Sequence, residues 1–175
     1  MPTQKNKKKS PGRPRKAEEP QVDLHGLKKE DLLDIYRNMF LSRELDDEEI
    51  RLKGKGKIFF QINGCGHEAI NTVLGRVLDP KKDWFFPYYR DRALMLQLGL
   101  TPLEMLKMGT AAHDEPAGAG RQMPSHWGAK HLHVVNQSSC TGSQCLHAVG
   151  TAEAWKKGKQ DASLREHIRS EEHTS

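Results

Sequence analysis

The residue types able to do chemistry gather in the second half of the chain. His126, His131, His133 and His147 lie near Cys140 and Cys145, all of them metal-ligand types, but their spacings match no familiar zinc site. There is no phosphate loop ending in Gly-Lys-Ser/Thr, no GxGxxG fingerprint and no paired CxxC. Hydroxyls crowd the stretch from Ser138 to Ser143, a composition that suits turn and N-cap chemistry. Trp84 to Tyr89 is the densest aromatic cluster, and it leads directly into Arg90-Asp91-Arg92.

Helices and loops must position these groups. Apolar residues recur at helical spacing from Leu27 to about Lys53, which predicts one long helix or two. Lys53-Gly54-Lys55-Gly56-Lys57 cannot continue it, because glycine adds backbone freedom and the lysines repel. Ile58 to Ile62 suits a short extended piece. A second helix is expected over Glu68 to Leu78, with Ala69, Ile70, Val73, Leu74 and Val77 facing inward and an end before Asp79-Pro80. A third carries Leu94, Met95, Leu96 and Leu98 and stops at Gly99. Thr101-Pro102-Leu103-Glu104 reads as the start of a fourth, with a hydroxyl N-cap, proline in the first turn and a carboxylate behind it. Residues 109–130 are broken by glycine and proline, and a loop of that length in a compact domain is functional or disordered. A helix of small residues is expected over Gln144 to about Trp155.

Composition narrows the class. The 175 residues are 35% hydrophobic and 29% charged, enough for one globular domain with a modest core. No run approaches the roughly 18 apolar residues of a membrane span, and three cysteines cannot build a disulfide framework, so a cytoplasmic location is expected. The net charge of +5 resembles a nucleic-acid signal until it is placed. Seven of the 28 basic residues, and none of the 23 acids, lie in residues 1–16, which leaves 21 bases against 23 acids elsewhere. A body that is nearly neutral offers no face for tracking phosphates, so nucleic acid is not the expected partner. Residues 1–24 read as a disordered basic tail. Within it, Ser10-Pro11-Gly12-Arg13-Pro14-Arg15-Lys16 resembles an AT-hook, and a DNA-associated protein is the alternative reading.

Five segments taken together point further: LDIYRNMFLSREL from Leu33, GHEAI from Gly66, FFPYYRDRAL from Phe85, GRQMPSHWG from Gly120 and SSCTGSQCLHAVG from Ser138. In this order and at these separations the chain resembles, over about residues 27–160, the alpha part of the thiamine-diphosphate-dependent 2-oxo acid dehydrogenases. The branched-chain type and its fused bacterial forms are the nearest match, and pyruvate is the other substrate in view. The resemblance implies an α/β thiamine-diphosphate-binding fold, here incomplete and mostly its N-terminal helices and loops, in a domain over residues 25–160.

The same resemblance implies that Tyr89 and Arg90 hold the cofactor's diphosphate, and that Ser139 and the backbone of Thr141 receive its aminopyrimidine. Taken alone, Tyr89 also suits a core aromatic with a hydrogen-bonded hydroxyl. It further implies a potassium ion among Ser138, the Cys140 carbonyl, Ser143 and Gln144, although Cys140 and Thr141 stand where branched-chain members often have proline and leucine. Hard cations favour such oxygens. His67 replaces a usual glutamine or glutamate and reads as a packed histidine. His126 belongs to a family hallmark, without an assigned role. The implied reaction decarboxylates a branched-chain 2-oxo acid or pyruvate and passes the acyl group to a lipoyl carrier. The implied partners are a beta part, which contributes an activating glutamate, and a lipoyl-bearing acyltransferase.

The family's Gly-Asp-Gly-like motif and following asparagine, which hold magnesium, are not found after Lys159. The ending Arg169-Ser170-Glu171-Glu172-His173-Thr174-Ser175 resembles a translated sequencing adapter, so residues 161–175 are expected to be a non-native tail, and the chain by itself is expected to be inactive.

Overall fold

The structure, a computed structural model, describes residues 24–160. The expected tail with its AT-hook-like segment, and the expected non-native end, lie outside the described residues. Five α-helices form the frame: α1 (Lys29–Gly54), α2 (Glu68–Val77), α3 (Arg92–Leu98), α4 (Pro102–Gly109) and α5 (Ser143–Gln160). None is long and apolar enough to cross a membrane.

Helix α1 is a single rod of about 39 Å at 1.5 Å per residue. Acids Glu30 and Asp31 stand in its first turn and Arg51 and Lys53 in its last, both complementing the helix dipole. The Lys28 N–H donates to Asp31 at 3.0 Å, which satisfies one group that the helix leaves unpaired. Helix α3 ends as its sequence directs, at Gly99 with φ 117, where the amide closes back on the Met95 and Leu96 carbonyls. Helix α4 begins with a full capping box: the Glu104 N–H donates to the Thr101 hydroxyl at 3.3 Å, and the Thr101 N–H donates to the Glu104 carboxylate at 2.7 Å. Helix α5 is longer than the expected Gln144–Trp155 and leaves Leu146, Val149 and Trp155 exposed.

Helix α2 packs along α3, and α1 lies against both. The core is built from Leu45 of α1, Leu94, Met95 and Leu98 of α3, and Met105 and Met108 of α4, with Phe85, Trp127 and Val134 from the loops.

The expected inward face of α2 is corrected. Ala69, Ile70, Val73, Leu74 and Val77 are exposed, and Glu68, Asn71, Thr72 and Gly75 are buried instead. Hydrogen bonds decide the orientation. Asn38 of α1 donates to the Thr72 hydroxyl at 2.8 Å and to the Ala93 carbonyl at 2.8 Å, and Asn71 donates to Asp91 at 3.2 Å. Buried polar groups that find partners fix the rotation, because leaving them unpaired costs more than exposing a few methyl groups.

Of the expected α/β fold, the described residues show the helices, one 3-10 turn at Lys130–Leu132 and two isolated bridges, Phe85 with Val134 and Ala129 with Val134. Ile58–Ile62, expected as an extended piece, is irregular with a bend at Phe59, and it pairs with no strand among the described residues. The first bridge joins two distant parts of the chain. Phe85 donates to the His133 carbonyl at 2.9 Å and accepts from the Val135 N–H at 3.0 Å, so the two segments run parallel. A few residues onward in each, Tyr88–Arg90 and Ser138–Thr141 arrive on the same side of the molecule.

Candidate functional site

The converging segments enclose a cleft of about 410 Å³ lined by residues that include Asn63, Tyr89, Arg90, Met123, His126 and Ser139. Among the described residues no acidic one lines it, and Arg90 gives it a fixed positive charge. Arg90 is oriented from two sides. Its Nη1 donates to the Asn63 carbonyl at 2.6 Å, and its guanidinium lies 5.5 Å from the centre of the Tyr89 ring. The remaining donors of its fork are left for an anion.

Tyr89 lies tilted against Tyr88 at 4.0 Å and stacks with His126 at 6.0 Å between ring centres. Hydrogen bonds from the Tyr88 and Thr141 side chains hold its hydroxyl below the usual phenol range. An oxygen that accepts from two neighbours still has its own proton to donate to a ligand.

His126 is fixed at both ring nitrogens. Nδ1 lies 3.0 Å from the Pro124 carbonyl, which can only accept, so in the neutral ring Nδ1 carries the proton and Nε2 accepts from the Ser139 hydroxyl at 2.8 Å. Ser125, immediately before it, takes a left-handed backbone with φ 62, which for a non-glycine residue costs about 1–2 kcal/mol and marks a turn held by its surroundings.

Behind the cleft wall, Asp91 carries the Tyr88–Arg90 turn: it accepts from the Tyr88 N–H at 2.8 Å and from Asn71 of α2. Burial raises its carboxyl, against the pull of these two donors. Glu68 receives Arg43 Nε at 2.9 Å and the Gly66 N–H at 2.8 Å. Deeper still, Arg92 is 1% exposed, lies 3.2 Å from Asp46 and 2.5 Å from Glu49, and covers the Trp127 ring at 5.4 Å. Burial is the main cause that raises both of these carboxyls, and Arg92 opposes it.

The four residues expected around a cofactor are brought together: Tyr89, Arg90 and Ser139 on the cleft, and Thr141 against Tyr89. Ser138, Cys140, Ser143 and Gln144 form one turn, in which Ser138 Oγ accepts from the Cys140 N–H, the Cys140 carbonyl from the Ser143 N–H, and Gln144 Oε1 from the Gly142 N–H. The Ser143 hydroxyl is buried without a partner. His67 sits half-buried at the start of α2. No group of three or more His, Cys, Asp or Glu side chains gathers among the described residues. Spacing did not disclose Asn63, Asp46, Asp91 or the pairing of His126 with Ser139, since each acts on a residue brought near by the fold.

The dehydrogenase E1 component family model matches residues 36–167. Over 136 residues the chain is 38% identical to the 2-oxoisovalerate dehydrogenase subunit alpha of Bacillus subtilis, which covers 78% of this chain and 41% of that protein. It is 33% identical over 138 residues to the human mitochondrial subunit alpha, covering 79% of this chain and 30% of that protein. Against subunit alpha 2 of Arabidopsis thaliana it is 32% identical over 128 residues, 73% of this chain and 27% of that protein. The chain thus spans less than half the length of these relatives.

Proposed function

The chain belongs to the dehydrogenase E1 component family, and from that premise we propose that it is the cofactor-holding part of the alpha subunit of a branched-chain 2-oxo acid dehydrogenase. The parent enzyme decarboxylates a branched-chain 2-oxo acid and passes the acyl group to a lipoyl carrier. The carrying observation is the cleft on which Arg90, Tyr89, Ser139 and His126 meet, with no carboxylate of the described residues in its lining. Arg90 and Tyr89 fit a diphosphate, because a planar guanidinium offers parallel donors to phosphate oxygens and the phenol adds another. Thiamine diphosphate, when bound, supplies a carbanion and an electron sink for the 2-oxo carbon.

The chain's own residues bind and orient. Arg90 and Tyr89 hold the diphosphate, and Ser139 with the Thr141 backbone receives the aminopyrimidine. The orphaned Ser143 hydroxyl and the oxygens of Ser138, Cys140 and Gln144 fit a potassium ion that would stiffen this turn. Magnesium, the activating glutamate of a beta part and the completed α/β sheet come from sequence other than the described residues. A beta part and a lipoyl-bearing acyltransferase are the proposed partners, and the cytoplasm the proposed location.

Calorimetry with thiamine diphosphate and magnesium tests the reading. The assembled parent enzyme binds, and Arg90→Lys weakens binding by roughly 1–3 kcal/mol although charge is kept, because a forked contact becomes a point charge. Unchanged affinity in that variant removes Arg90 from the site.

A further inference from the structure

We infer that Asp46, a residue of α1 that does not line the cleft, is a positioning residue for it: its carboxylate holds the Gln61–Gly64 segment where the Asn63 carbonyl orients Arg90. The inference rests on the reading of Arg90 as a diphosphate ligand.

The segment belongs to no helix or ladder, so its place must be set by its side-chain and end contacts. Ile58, 2% exposed, anchors it on one side. On the other, Asp46 Oδ2 accepts from the Gly64 N–H at 3.0 Å and Oδ1 accepts from Gln61 Nε2 at 3.4 Å. Asn63, between these two contacts, presents its carbonyl to Arg90 at 2.6 Å. Two hydrogen bonds in series, Gly64 to Asp46 and Arg90 to Asn63, therefore link Asp46 to the cleft, and the Gln61 contact holds the same segment in parallel.

Asp46 is itself immobilised. It is fully buried on α1, and Arg92 of α3 lies between it and Glu49, one helical turn onward. Stability alone does not account for this arrangement, since well-packed apolar side chains of similar volume join helices as well as a buried ion cluster does. What apolar groups cannot supply is a pair of acceptor oxygens aimed at the donors of a loop. Close packing sharpens the constraint: a Cβ on Gly64 would lie 3.2 Å from the Arg90 carbonyl oxygen and 3.7 Å from Asp46 Oδ2. A side chain at Gly64 would therefore press on the Arg90 backbone.

The test uses the assembled parent enzyme and titrates thiamine diphosphate in the presence of magnesium. Asp46→Asn sets an amide against two donors that both need an acceptor. Its dissociation constant for the cofactor should rise about tenfold, a loss usual for outer partners of a binding group, while kcat at saturating cofactor changes by less than about twofold. Gly64→Ala leaves the buried charges untouched and should give the same rise, with the double variant falling short of the product of the two. Leu45→Ala, in the apolar core beside Asp46, should lower the melting temperature and leave the cofactor constant unchanged. Equal affinity losses in Asp46→Asn and Leu45→Ala would reduce Asp46 to a structural residue and overturn the inference. So would normal affinity in Asp46→Asn where Arg90→Lys binds weakly. If Asp46→Asn does not fold, normal affinity in Gly64→Ala overturns it. Normal affinity in Arg90→Lys as well sinks the functional reading along with it.

Discussion

In the neutral ring of His126, Nε2 accepts the Ser139 hydroxyl proton at 2.8 Å, an orientation dictated by the Pro124 carbonyl 3.0 Å from the other ring nitrogen. The pair joins the irregular loop before Trp127 to the turn before α5, and it faces the same cleft as Tyr89 and Arg90. Met123 Sδ, 3.5 Å from the same hydroxyl, is a second acceptor for one proton, and the ring nitrogen is the stronger of the two.

Ser139→Ala should therefore destabilise the chain although Ser139 is itself exposed. The ring it serves is only 5% exposed, and a buried acceptor without a donor costs about 1–3 kcal/mol, with the lower end expected here because water reaches the hydroxyl side. Urea unfolding checks this. A midpoint equal to that of the unaltered chain would mean that the two loops are not joined through this bond.

Two glutamates should shape the acid limb of stability in opposite directions. Burial raises the Glu49 carboxyl above 4.5, with Arg92 pulling the other way. Its folded form takes up a proton before its unfolded form does, so its contribution to stability improves as pH falls from the folded value toward 4.5 and is lost as pH rises. For Glu68, burial raises the carboxyl, but hydrogen bonds from its own backbone, Arg43 and Gly66 outweigh burial and hold it below 4.5. Its contribution is complete above 4.5 and is lost as pH falls through the folded value. Relative to the unaltered chain, Glu68→Gln should be most harmful near neutrality and converge in acid. Glu49→Gln carries a constant penalty for its broken contact with Arg92, on which a change of opposite slope is superposed. Unfolding free energies measured from neutral pH down to about pH 2 reveal the two slopes, that of Glu49 above 4.5 and that of Glu68 below it, and parallel curves for both variants would contradict the assignment.

Local signals in the sequence were legible where one residue decides one feature. Gly99 stops α3, and Thr101, Pro102 and Glu104 start α4, because caps are contacts between residues three or four apart. The gathering of Tyr89, Arg90, Ser139 and Thr141 was legible only through the resemblance, since 49 residues separate Arg90 from Ser139. The burial of α2 was misread for a physical reason: its apolar periodicity is real, but Thr72 and Asn71 face inward to partners contributed by α1 and the Asp91 turn. Asp46 and Glu49 on α1 likewise sit where a helical pattern would place solvent-facing acids, and only the arrival of Arg92 from another helix makes their burial tolerable.

Gly75 puts the rotation of α2 to a direct test. In the interior of a helix, glycine to alanine ordinarily stabilises by about 0.5–1 kcal/mol, by restricting the unfolded chain. Here a Cβ would lie 2.7 Å from both Cβ and Cγ of Gln97 and 3.3 Å from Leu94 Cδ1, so α2 and α3 approach too closely to admit a methyl group. The Cβ of Gln97 is tied to the α3 backbone and cannot swing aside, so relief requires the helices to part, which costs about 1–3 kcal/mol in an overpacked interface. Gly75→Ala should therefore lower the thermal midpoint, whereas Val77→Ala on the exposed face should leave it nearly unchanged. Were the apolar face of α2 the buried one, the order would reverse: Val77→Ala would open a cavity, and Gly75→Ala would gain the ordinary helical stabilisation.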